Sequence, residues 1–216
     1  MKKTNSDHFI QVIIFDMDGT LYPMDGDCFK ESSIGKHIIF SYKKLIIEKM
    51  NANPFQADEY YNALLKNEKT YGTSMTRVLG EQFNMTREEI IKYTWGTMNL
   101  DFIYFCENNI KKLFNIMKKK GILLFLVTSA PYIWSKKVIS YLQIEDFFEK
   151  IFTAEDFSRD KTLIFNEIIK LTKINPSNIL SVGDQYNSDI LPAKLLGMRT
   201  YHVNKINPIE HLIKEI

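Results

Sequence analysis

Cysteine is nearly absent: Cys28 and Cys106 are the only two in 216 residues. They are too far apart to form a metal-binding pair and too few for a disulfide framework. The expected state is two free, partly buried thiols in a reducing cytosol. Long apolar runs are missing as well. Nothing approaches the roughly 20 consecutive apolar residues that cross a bilayer. The N-terminal apolar run stops at Asp16, too short and too acidic for a signal peptide. The expected location is therefore the cytoplasm, with no membrane partner. Nor is there an excess of charge of one sign, since 28 Lys and Arg against 26 Asp and Glu leave +2. The basic cluster Lys118 to Lys120 stands just before Gly121 and reads as a helix end whose lysines complement its dipole. A nucleic-acid polymer is not an expected partner. The histidines, His8, His37, His202 and His211, lack the spacing of metal ligands, and Trp95 and Trp134 read as packing residues.

The chemistry is concentrated at the ends of short apolar runs. Val12 to Phe15 lead into Asp16-Met17-Asp18-Gly19-Thr20-Leu21-Tyr22. Side chains in a strand repeat every two residues, so Asp16 and Asp18 would face one crevice if strand geometry persisted. Gly19 permits a sharp turn there. Paired carboxylates repel unless a cation intervenes, and oxygen ligands with a substrate phosphate suit Mg²⁺. Taken alone, an Asx-rich turn after a core strand explains this stretch equally well. A second apolar run, Ile179 to Val182, ends in Gly183-Asp184-Gln185-Tyr186-Asn187-Ser188-Asp189. A third, Ile122 to Val127, ends in Thr128-Ser129 before a helix start, the kind of place that seats phosphate. Lys161 opens an amphipathic segment between the second and third of these sites. Ligands of open α/β sheets bind outside the carboxyl ends of the strands, so these strand ends point to one site.

A length of 216 residues exceeds one average domain and falls short of two, as a core with an insertion would. From about Asp27 to Asn99 the pattern is helical, with Ile34, Ile38, Ile39, Tyr42, Leu45, Ile46 and Met50 recurring on one face until Asn53-Pro54 breaks it. A second helix runs through Tyr60, Tyr61, Leu64 and Leu65 to Gly72, and a short third contains Met75, Val78 and Leu79. Thr86-Arg87-Glu88-Glu89 has the form of a capping box opening a fourth. Polar linkers on both sides would make a hinge for a lid. Beyond Glu107 helix and strand alternate, with a helix expected over Ile190 to Leu196, which means βαβ units and a parallel sheet.

In order and spacing, Asp16-x-Asp18-Gly19-Thr20-Leu21, Thr128, Lys161 and Gly183-Asp184-x4-Asp189 resemble the four motifs of the haloacid dehalogenase superfamily. The resemblance implies a doubly wound, Rossmann-like α/β core over residues 1–22 and 103–216, with an inserted all-helical cap over 23–102. It also implies Mg²⁺-dependent hydrolysis of a small phosphomonoester through an aspartyl-phosphate. On that reading Asp16 is the nucleophile and Asp18 the general acid and base. Asp16, the Asp18 carbonyl and Asp184 hold the metal, and Asp189 ligates it or braces its surroundings. Thr128 and Ser129 bind phosphate and Lys161 neutralises charge. Relatives often carry Pro after the lysine, where this chain has Thr162, and Arg159 stands nearby as another basic candidate.

The substrate is expected to meet the cap. Tyr71-Gly72-Thr73-Ser74 followed by Arg77, with Tyr22 after Thr-Leu, is similar to the pyrimidine 5′-nucleotidase branch, which implies a nucleoside monophosphate. A helix corner explains Gly72-Thr73-Ser74 as well. The alternatives are a phosphosugar phosphatase or a sugar phosphomutase with the same motifs. Asp18 argues against a dehalogenase, and the intact Asp16, Asp18 and Asp184 argue against a non-catalytic binding protein. The expected assembly is a monomer or homodimer.

Overall fold

The strand β1 (Val12–Phe15) is apolar at every position and buried on both faces, the mark of a strand in the middle of a parallel sheet. In the computed structural model it lies at the centre of five strands. The described residues are 9–26, 29–71, 74–101, 103, 107–156, 160–206, 208–214 and 216. Cys28, Cys106, His8, Thr73 and Arg159 fall outside them. The chain divides into two compact units, Met1–Pro23 with Ile103–Ile216, and Met24–Phe102.

In the second unit, α1 (Ser33–Met50) is opened by the Ser32 side chain accepting from the Gly35 amide. It buries Ile34, Ile38, Tyr42, Leu45 and Ile46 of the periodic face read from sequence, while Ile39 is half-buried and Met50, at the last turn, is exposed. It stops at Met50, three residues before the Asn53-Pro54 break, because Asn51 takes the left-handed conformation (φ 51°) and returns its amide to the Ile47 carbonyl. Then follow α2 (Pro54–Tyr71), α3 (Met75–Phe83) and α4 (Arg87–Thr94). Thr86 and Glu89 make the expected capping box at the start of α4. Tyr42 stacks on Tyr61 with ring centroids 6.4 Å apart, and its hydroxyl meets Thr76 Oγ1 at 2.9 Å, fastening α1 to α2 and α3.

The first unit alternates helix and strand: α5 (Glu107–Lys119), β2 (Leu123–Val127), α6 (Tyr132–Leu142), β3 (Phe148–Phe152), α7 (Thr162–Thr172), β4 (Ile179–Gly183), α8 (Leu191–Leu195) and β5 (Arg199–His202). The strands order as β3-β2-β1-β4-β5 and every pairing is parallel. Sheet faces alternate as strand geometry requires. Val12 and Ile14 pack with Phe165 and Ile168 of α7, whereas Phe15 lies 5.0 Å, ring to ring, from Phe114 of α5. Helices thus cover both faces, and the core is the expected doubly wound α/β sheet. Its strand order reverses between β1 and β4, where open α/β sheets place their ligands.

The helix expected over Ile190 to Leu196 is α8, and a π-helical turn that the sequence did not signal, Tyr186–Ile190, runs into it. The wider turn accompanies the Asp189 carboxylate folding back to accept from the Gln185 amide at 2.9 Å. π-turns of this kind gather at functional sites. Among the described residues no helix is long and apolar enough to cross a membrane.

Candidate active site

The carboxyl end of β1 stays registered with β4 one residue beyond the strand, since the Asp16 amide donates to the Val182 carbonyl at 2.9 Å. The chain then turns on itself. Thr20 and Leu21 amides both return to the Met17 carbonyl, and the buried Met17 and Leu21 side chains anchor the turn from below. Asp16 and Asp18 remain half-buried above it. Gly19 has φ +83°, and a Cβ built there would stand 2.4 Å from Asp184 Oδ2. The glycine therefore serves both needs, a left-handed backbone and the close approach of a second acid.

That acid comes from β4. Asp184 follows Gly183, where an added Cβ would lie 2.3 Å from the Cβ of Asp189. Two glycines without side chains thus let Asp184 and Asp189 crowd the end of β1. Carboxylate oxygens of Asp16, Asp184 and Asp189 lie within 4.8 Å of one another. Lys161, only 2 % exposed, is set at the start of α7, and its ammonium donates to Asp16 Oδ1 at 2.5 Å and Asp189 Oδ1 at 2.7 Å. This is the lysine expected from sequence.

The electrostatics follow from burial. Desolvation pushes the Asp16 carboxyl well above its usual range, against the attraction of Lys161 and with the repulsion of Asp189 and Asp184. Burial likewise pushes Asp184 up to about 6, helped by the charge of Asp189. For Lys161 burial works against the charge, but Asp16 and Asp189 outweigh it and its pKa is raised. Three carboxylates set against one ammonium leave a deficit of two positive charges when all are ionised, the charge of one divalent cation.

The oxygens are not equivalent. Both of Asp189 are engaged, Oδ1 by Lys161 and Oδ2 by the Gln185 amide. Asp184 Oδ1 is buried with no hydrogen-bond partner. A buried orphan carboxylate oxygen is costly unless a ligand satisfies it. Hard oxygen donors and that orphan fit Mg²⁺. They favour Asp184 as a direct ligand, whereas Asp16, like Asp189, already has a protein donor on each oxygen, Lys161 on Oδ1 and the Thr20 hydroxyl on Oδ2 at 3.2 Å.

Thr128 extends β2 and is positioned by its amide donating to the Phe152 carbonyl at 3.0 Å. Its hydroxyl accepts from the Ala130 amide at 3.1 Å, while Ser129 is exposed. Thr128 therefore caps the turn into α6. Two further contacts were not legible in the motifs. Trp134, read as packing, is fully buried but donates its indole N–H to Asp18 Oδ1 at 2.9 Å. His202, read as a surface or packing residue, places Nε2 2.8 Å from the Asp184 carbonyl, which can only accept, and so steadies that loop. Trp134 lies six residues after Thr128, in the first turn of the helix that follows the connection, and that nearness in the chain is the sequence feature that brings it near the site.

Tyr22, expected on the substrate side, is 1 % exposed and donates its hydroxyl to Asp18. In the helical unit Ser74 caps α3, accepting from the Arg77 amide, and the exposed Arg77 pairs with Glu81 at 2.8 Å. The Tyr71 side chain lies outside the described residues, like Thr73.

Comparison with known proteins identifies the family and the fold. The family model described as haloacid dehalogenase-like hydrolase matches residues 10–197. A glyceraldehyde 3-phosphate phosphatase of Pyrococcus furiosus is 29% identical over 205 residues, covering 88% of this chain and 79% of that protein. Another, from Methanocaldococcus jannaschii, is 26% identical over 202 residues, covering 91% and 86%. Among solved structures, a HAD phosphatase from Thermococcus onnurineus aligns with TM-score 0.68 at 18% identity, covering 95% of this chain and 97% of that one. A HAD family enzyme of Bacteroides thetaiotaomicron, in complex with magnesium and inorganic phosphate, aligns with TM-score 0.54 at 16% identity, covering 94% and 98%.

Proposed function

This chain belongs to the haloacid dehalogenase-like hydrolases and is a phosphoric monoester hydrolase, and we propose that it works with Mg²⁺ through an aspartyl-phosphate on Asp16. The carrying observation is the cluster of Asp16, Asp184 and Asp189 around Lys161, with Asp184 Oδ1 left without a partner. Asp16, Asp184 and the Asp18 carbonyl would hold the ion. When bound, the ion supplies charge neutralisation at the phosphoryl group.

The protein's own residues would carry the proton and bond changes. A carboxylate oxygen of Asp16 attacks phosphorus, and the bond to the leaving oxygen breaks with its electron pair going to that oxygen. Asp18 gives the leaving oxygen its proton, and an alcohol departs. Water then attacks the same phosphorus and passes a proton to Asp18, the bond to Asp16 breaks, and inorganic phosphate leaves. General acid and base steps of this kind are worth about 10²- to 10⁴-fold each. The Thr128 hydroxyl and the Ser129 amide are suited to phosphate oxygens at the start of the α6 connection. Lys161 balances charge on Asp16 and keeps the carboxylate oriented.

For the substrate we favour a small phosphorylated aldehyde or polyol, with glyceraldehyde 3-phosphate as the first candidate. The name shared by the relatives from Pyrococcus furiosus and Methanocaldococcus jannaschii supports this choice. A nucleotide has less behind it, because Tyr22 is enclosed against Asp18 rather than open to a base. The test is phosphate release from triose phosphates, sugar phosphates and nucleoside monophosphates, with Mg²⁺ and with chelator. Triose phosphate should lead, and chelator should abolish release. Preference for a nucleoside monophosphate would overturn the substrate choice, and full turnover in chelator would overturn the metal.

A further inference from the structure

Asp18 is the acid-base residue of the reading above, and its carboxylate is held unequally. Trp134 Nε1 donates to Oδ1 at 2.9 Å, and the Tyr22 hydroxyl donates to the same oxygen. Both donors are buried, Trp134 at 0 % and Tyr22 at 1 % exposure, and each is fixed by a different part of the chain. Trp134 stands in the first turn of α6, and Tyr22 closes the turn after β1, where Asp18 and Tyr22 pair as an isolated β-bridge. An indole N–H can only donate. A carboxyl oxygen offers two lone pairs, and here two donors occupy them.

Resting on the acid-base role proposed for Asp18, we infer that Trp134 and Tyr22 are positioning residues that reserve Oδ2 of Asp18 for proton transfer. With Oδ1 engaged twice, the proton of the acid form sits on Oδ2, and among the described residues the hydrogen bonds that fix the carboxyl plane are on Oδ1. In the first step Oδ2 gives that proton to the leaving oxygen as the phosphorus–oxygen bond breaks. In the second it takes a proton from the attacking water. A carboxyl free to rotate would present the wrong oxygen, or no proton, for part of the time. Orientation of this kind is a large share of what an enzyme adds to an acid that water could supply.

The consequence depends on the leaving group. An alkoxide needs a proton in order to leave, whereas p-nitrophenolate is a stable anion and departs without one. The value of kcat/KM reports events up to the departure of the alcohol. The experiment measures kcat/KM for glycerol phosphate and for p-nitrophenyl phosphate in the wild type, Trp134→Phe, Tyr22→Phe and Asp18→Asn, all with Mg²⁺. The expected result is a fall of about tenfold in the alkyl-to-aryl ratio for each of the first two variants, inside the larger fall of Asp18→Asn. A loss of folded enzyme lowers both substrates together and leaves the ratio untouched, so a merely structural role does not imitate this result. If Trp134→Phe does not fold, Tyr22→Phe, which removes a single oxygen, decides by the same ratio. Wild-type ratios in the folded variants beside a collapsed ratio in Asp18→Asn would overturn the positioning role alone. An unchanged ratio in Asp18→Asn would overturn the acid-base reading, and the inference with it.

Discussion

Lys161 and Asp189, 28 residues apart in the chain, meet as a buried ion pair with 2.7 Å between Nζ and Oδ1. The pair orders the site in two ways. It occupies one Asp189 oxygen while the Gln185 amide takes the other, and it leaves the ammonium within 2.5 Å of Asp16. Removing one partner of a buried pair leaves an uncompensated charge, at a cost of about 3–5 kcal/mol. Lys161→Met should therefore lower stability in chelator at neutral pH by about 3 kcal/mol. It should also lower kcat/KM by about 10²-fold or more. Denaturant titration with and without Mg²⁺ checks the first, and the ion should recover more stability in the variant than in the wild type. Equal stability of the two proteins in chelator would show that the pair contributes nothing to the fold.

Asp16→Asn should behave in the opposite sense. Burial and the neighbouring carboxylates already push Asp16 well above its usual range, so the native charge is a burden that the amide relieves. The variant should be as stable as the wild type in chelator, or more so, and should have no measurable turnover. Thermal melting and phosphate release are the two readings. Near-normal turnover would remove Asp16 as the nucleophile.

Mg²⁺ binding should stabilise the protein most at neutral and higher pH. Asp184 is pushed from 3.8 to about 6 in the fold. A carboxyl raised on folding costs stability as pH climbs from its unfolded value through its folded one, because the folded state then gives up a proton it had retained. Mg²⁺ binds the ionised form, so its stabilising effect should grow across that same window and level off above it. Melting temperatures with and without Mg²⁺ should differ little at about pH 4.5 and clearly at about pH 7.5. A Mg²⁺ effect that is the same at both values would remove Asp184 from the ligands.

Arg77→Ala separates packing from recognition. Arg77 is 68% exposed and its partner Glu81 is 67% exposed, one helical turn away. Such pairs are worth about 0.3–0.5 kcal/mol, so the variant should keep its melting temperature to within a degree or two. If the helical unit selects substrate through Arg77, the ranking of phosphate esters should change while the fold does not. An unchanged ranking would leave Arg77 as a surface ion pair.

The sequence by itself determined which elements form and where the acids stand. Apolar runs at Val12–Phe15 and Ile179–Val182, short and each ending in a glycine turn, read as buried strands, and alternation with helices pointed to parallel pairing. Periodicity marked the face of α1, and Ser32, Thr86 and Glu89 carried the caps within a few residues of the places they act. These are local properties, set by spacing and by backbone chemistry.

What the tertiary structure decided is which atom meets which. Asp18 and Trp134 are 116 residues apart and come together because α6 packs the indole inward beside the turn after β1. Tyr22 stands four residues after Asp18, and the bridge between the two turns its hydroxyl onto the acid. For Asp189 the motif left two roles open, metal ligand or brace. The π-helical turn gave Asp189 two protein donors and left Asp184 Oδ1 with none. Periodicity tells which side of an element faces inward, but a hydrogen bond depends on a few tenths of an ångström and on direction. Those are fixed only when distant elements pack.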